Sequence, residues 1–168
     1  MFNINYQIVR TAVDDFPGQN GFFQIECNGY TYGENYPSDI ADKLIPDDLY
    51  DWFTRIVDIM LILRQRNYVL LSDIESYNRW IEFVKDNEEI IISIKLSVGW
   101  PGSQCIEYSL PNAKPGEWIG QKIPVQQFEH EIISKAEEYV NKLFSLSHNC
   151  EEVVLFAKKI KNIKVKYE

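Results

Sequence analysis

The sequence predicts an α+β fold: an antiparallel sheet with an N-terminal meander and helices packed on one face. Three observations predict it. Phe2, Ile4, Tyr6 and Ile8 alternate with Asn3, Asn5 and Gln7, the period of a half-buried strand. Asn28-Gly29 separates two such runs, and both of its positions tolerate the positive φ of a type I′ hairpin. Helical periodicity begins only after residue 45, and no glycine-rich strand–helix turn marks a crossover unit.

Taken in order, Pro17-Gly18-Gln19-Asn20-Gly21 reads as a turn after the first strand. Phe23, Ile25 and Cys27 alternate again, and Tyr30-Thr31-Tyr32 is the return strand. Pro46, followed by Asp47 and Asp48, is expected to open a helix, where carboxylates oppose the positive end of the macrodipole. Leu49, Trp52, Phe53, Ile56, Ile59, Met60 and Leu63 form its apolar face, with Arg64 and Arg66 at its C-terminal end. Tyr68 to Leu71 reads as a short strand. Ser72-Asp73-Ile74-Glu75 has the pattern of a capping box and predicts a second helix to about Val84.

Ile90, Ile92, Ile94, Leu96 and Val98 mark a central strand. Ser103 to Leu110 is its expected antiparallel partner across Gly99-Trp100-Pro101-Gly102, and residues 111–124 are expected to be a long loop. Phe128, Ile132, Ala136, Tyr139, Val140 and Leu143 mark a long helix. Asn149 and Glu152 would cap a last one through Ile160. With no repeat, low-complexity tract or flexible linker, residues 1–168 are read as a single α+β domain.

Composition narrows the function. The 9 Phe, 10 Tyr and 4 Trp supply a core without disulfides or metal. The net charge of −8 argues against nucleic acid and anionic membranes, which need clustered Lys and Arg. Cys27, Cys105 and Cys150 are odd in number and far apart, as free thiols in a reducing compartment would be. The first residues hold no basic-then-apolar leader, so a cytoplasmic address is expected.

The residues that could carry chemistry do not form a recognisable constellation. Glu129-His130-Glu131 is followed by Ser134 and Lys135, not by the second histidine of a zinc protease motif, and reads as a solvated helix face. His148 and Cys150 supply two ligands where a structural zinc needs four. There is no nucleophile elbow, Walker loop or dinucleotide fingerprint. No enzyme activity, cofactor or metal is expected.

The charge is unevenly placed. Residues 11–58 hold ten acids against Lys43 and Arg55, a net −8, while residues 153–168 hold five lysines against Glu168. The acidic stretch also carries Tyr30, Tyr32, Tyr36, Tyr50 and Trp52, residue types that anchor interfaces, and its carboxylates would steer a basic partner. The candidate partner-binding residues are therefore Asp14, Asp15, Tyr32, Glu34, Tyr36, Asp39, Asp47, Asp48 and Asp51. Each has a plainer alternative, such as helix capping for Asp47 and Asp48 or cross-strand pairing for Tyr32.

Gly21-Phe22-Phe23, Asn28-Gly29 and Tyr32-Gly33-Glu34 in the meander carry a general resemblance. So do the helix around Trp52, the stretch from Asn67 to Ile74, Trp80-Ile81-Glu82-Phe83 and the isoleucine-rich strand. Over most of its length the chain resembles the immunity proteins of bacterial contact-dependent growth inhibition and polymorphic toxin systems. The resemblance implies a cytoplasmic, non-enzymatic inhibitor that binds and blocks one cognate toxin domain, expected to be basic and of nuclease type, in a 1:1 complex. Two other readings stand beside it: an enzyme of unrecognised class using scattered carboxylates or a Cys-His pair, and a regulatory or scaffold subunit.

Overall fold

The structure is a computed structural model that describes residues 1–12, 14–41, 43–73, 76, 78–97, 106–146 and 150–164. The expected turn at 99–102, Cys105, His148, Asn149 and Lys166 lie outside the described residues.

The α+β class and the antiparallel pairing hold, but there are two sheets where one was expected. In the first, β1 (Phe2–Ile8) pairs with β2 (Asn20–Cys27), which pairs in turn with β3 (Tyr30–Gly33). The hairpin forms as its residues dictate, with Asn28 at φ 51° and Gly29 at φ 87°. The short strand β4 (Asp47–Asp48) joins β2 at Asn20 and Gly21. Glycine is required there, because a Cβ on Gly21 would lie 2.0 Å from the Gln7 carbonyl oxygen.

The second sheet runs β10-β7-β6-β5-β8. Its strands are β5 (Tyr68–Ser72), β6 (Arg79–Asp86), β7 (Glu89–Leu96), β8 (Ile106–Glu107) and β10 (Gln121–Pro124). β9 (Lys114–Pro115) is held on β7. Three expectations change. Residues 79–86 are a strand, not the second helix. Trp80, Ile81, Phe83 and Val84 are spaced for a helix face, but β-branched and aromatic types also suit a pleated surface. β8 pairs with β5, not with β7. The neighbour of β7 is β10, inside the segment expected to be a loop, where Ile123 faces Ile90.

Four helices complete the chain: α1 (Ser38–Ala41), α2 (Leu49–Leu63), α3 (Val125–Leu146) and α4 (Glu151–Lys164). Every apolar residue predicted for the faces of α2 and α3 is buried. Both helices touch both sheets, and α4 packs on α3. One core therefore runs from Phe2 and Ile25 through Phe53, Ile56 and Tyr139 to Phe83, Ile92 and Phe156. Helices are not confined to one face: α1 lies on the opposite side of the first sheet, where Ala41 packs with Phe22 and Val9. No helix among the described residues is long and apolar enough to cross a membrane.

Candidate functional site

The nine residues singled out in the sequence do not act together. Asp14 is a loop staple: it accepts from Thr11 and from the Asn20 amide (2.6 Å). Burial acts to raise its pKa, but these bonds prevail and hold it below the usual carboxylate value. Asp15 and Asp39 are exposed and separate. Asp48 stands before α2, not in its first turn: it is extended (φ −74°, ψ 91°), and its carboxylate accepts from the Asp51 N–H at 2.8 Å. That is N-cap geometry, and the Gln19 amide donates to the second oxygen (3.1 Å). Asp51 pairs with Arg55 one turn on. Tyr36 rests edge-on against Phe22 and donates to Glu34.

The remaining three, Tyr32, Glu34 and Asp47, do converge. With Thr31, Gly33, Ile45, Trp52, Asp73, Arg79, Glu117 and Trp118 they line a groove of about 620 Å³ between β3 and the end of the second sheet. Tyr32 bridges the two sheets: its hydroxyl donates to Asp73, and its ring meets Trp118 edge-on at 6.2 Å. Burial first, and then the Asp73 charge, push the Tyr32 phenol well above its ordinary value, so it stays a neutral donor.

Four carboxylates (Glu34, Asp47, Asp73, Glu117) and one guanidinium (Arg79) leave the lining with a formal charge of −3. Arg79 is held by Glu117 at 3.1 Å. Trp52, 2% exposed, lies stacked on Phe23, and its indole nitrogen has no hydrogen-bond partner among the described residues. Apolar side chains flank the acids. Ile45 is 93% exposed at one lip, and Tyr30, half exposed, leans on Trp118 at the other. A shallower depression of about 400 Å³ beside α2 holds only Asp58 and Arg66 as charged groups, so it carries no net charge.

Sequence reasoning missed Asp73, Arg79, Glu117, Trp118 and Ile45. The first four come from the second sheet and its connections, and no local pattern announces that they meet β3. It also misread Glu129 and Glu131. Only His130 faces solvent. Glu129 takes a two-pronged contact from Arg64 (3.0 and 3.1 Å), and Glu131 accepts from the Ile4 backbone N–H at 2.8 Å.

Among the described residues no three His, Cys, Asp or Glu side chains are placed to hold a metal ion. Burial raises the pKa of both Cys27 and Cys150, the opposite of nucleophile activation. No family model matches the chain, and comparison with curated proteins and with solved structures finds no match either.

Proposed function

We propose that this chain is an immunity-type inhibitor: it binds a basic toxin domain through the acidic groove and transforms no substrate. The observation that carries this reading is the convergence of Glu34, Asp47, Asp73 and Glu117 between apolar lips at Ile45 and Tyr30. Carboxylates clustered in a concavity raise the local concentration of a cationic partner and its encounter rate. Exposed apolar side chains beside them supply the burial that holds the complex once formed. A complex of this kind would bury roughly 1,200–2,000 Å². Bacterial origin, a reducing cytoplasm and 1:1 stoichiometry belong to the same reading.

The test is growth rescue. The chain is co-expressed with the toxin domain encoded in the neighbouring reading frame. Wild type restores growth. The Glu34→Gln/Asp47→Asn/Glu117→Gln variant, folded as judged by unchanged thermal unfolding, protects far less. Full protection by that variant contradicts the reading.

A further inference from the structure

We infer that the groove takes an extended, arginine-bearing segment of the partner as an added strand on β3; the inference rests on the proposed function and specifies what the partner presents. Backbone pairing fixes which groups of β3 face outward. In the tight hairpin Cys27 and Tyr30 face each other, and the Glu34 N–H donates to the Phe23 carbonyl at 2.9 Å. That parity turns Tyr30, Tyr32 and Glu34 toward β2 and turns the N–H and C=O groups of Thr31 and Gly33 outward, toward the groove they line. None of these outward groups has a hydrogen-bond partner among the described residues, and Thr31 is exposed.

Two other edges are treated differently. On β1 the outward Ile4 N–H is taken by Glu131 from α3. On β10 the Lys122 carbonyl accepts from the Asn28 amide at 3.2 Å. Proteins usually cover or cap such edges, because an open one templates another strand. The open edge of β3 coincides with the acidic groove. An added strand would lie about 4.8 Å from β3, with alternate side chains directed toward Glu34, Asp47, Asp73 and Glu117. Arginine suits that position because its planar fork binds carboxylates two at a time. A second copy of this chain is the poorer occupant, since pairing β3 with β3 would bring two linings of −3 together.

The test uses the full chain and a capped nonapeptide alternating threonine and arginine, with two analogues N-methylated on the arginines or on the threonines. Binding is read by titration calorimetry and by exchange of the Thr31 amide proton. The expected result is that the parent peptide binds and slows Thr31 exchange, and that one N-methyl series, the one whose N–H groups meet β3, binds at least about tenfold more weakly. Thr31→Pro, which removes an outward N–H without touching the β2 ladder, weakens the parent peptide by a similar factor. Salt-dependent binding indifferent to both N-methyl series and to Thr31→Pro overturns strand addition and leaves the acidic-groove reading standing. A dimer of the chain alone that Thr31→Pro dissolves assigns the edge to a second copy and also overturns the inference.

Discussion

Asp48 illustrates how a residue chosen for one role can be occupied by another. Its carboxylate closes the first turn of α2 and ties it to the loop before β2 through Gln19. Asp48→Ala should therefore lower stability by about 0.5–2 kcal/mol in chemical denaturation while leaving partner binding unchanged. The tyrosines make a second residue-scale statement. Burial, reinforced by Glu152 beside Tyr50 and by Glu82 beside Tyr68, pushes both phenols up to about 12, and Tyr6, Tyr32 and Tyr139 are raised further. A folded pKa above the unfolded value of about 10 means that this stability is intact below about pH 10. It is lost as pH rises through the folded values. Phenolate absorbance should accordingly lag in the native protein and then rise together with alkaline unfolding. Normal titration of all ten tyrosines in the folded state would contradict the packing around them.

At the scale of elements, α2 and α3 were legible in the sequence because a 3.6-residue apolar period over several turns has no strand equivalent. The meander was legible because Asn28-Gly29 fits only one kind of turn. β6 was not. Ser72-Asp73-Ile74-Glu75 imitates a helix start, and a strand with both faces partly covered loses the strict alternation that would have marked it. β10 was hidden by Gly120 and Pro124 at its ends. The groove was legible only in part. Glu34 and Asp47 stood out in an acidic run, whereas Asp73 and Glu117 reach the site through pairing of distant strands, which composition does not encode. Glu131 gives the element-scale prediction. Its bond to Ile4 closes the β1 edge from α3. Glu131→Ala should cost about 1–3 kcal/mol in denaturant unfolding and speed exchange of the Ile4 amide. An unchanged exchange rate would show that the edge is protected by something else.

For the whole molecule, the charge separation read along the chain is partly neutralised by folding. Lys159 on α4 reaches Asp58 on α2 at 2.5 Å, and Asp51 has Arg55. What remains concentrated is the groove, where one guanidinium faces four carboxylates. Long-range attraction of this kind governs how fast a complex forms and is screened by salt, while the apolar lips govern how slowly it falls apart. Ile45→Ser should therefore leave the association rate nearly unchanged and speed dissociation several-fold, as surface plasmon resonance with the toxin domain would show.

The most direct measurement is the association rate constant with the toxin domain, by stopped flow, as a function of ionic strength, for wild type and for Glu34→Gln/Asp47→Asn/Glu117→Gln. The expected result is a fast wild-type rate that falls at least about tenfold from low to high salt, and a variant that is slow and nearly flat. Equal rates with equal salt slopes for the two proteins would contradict it.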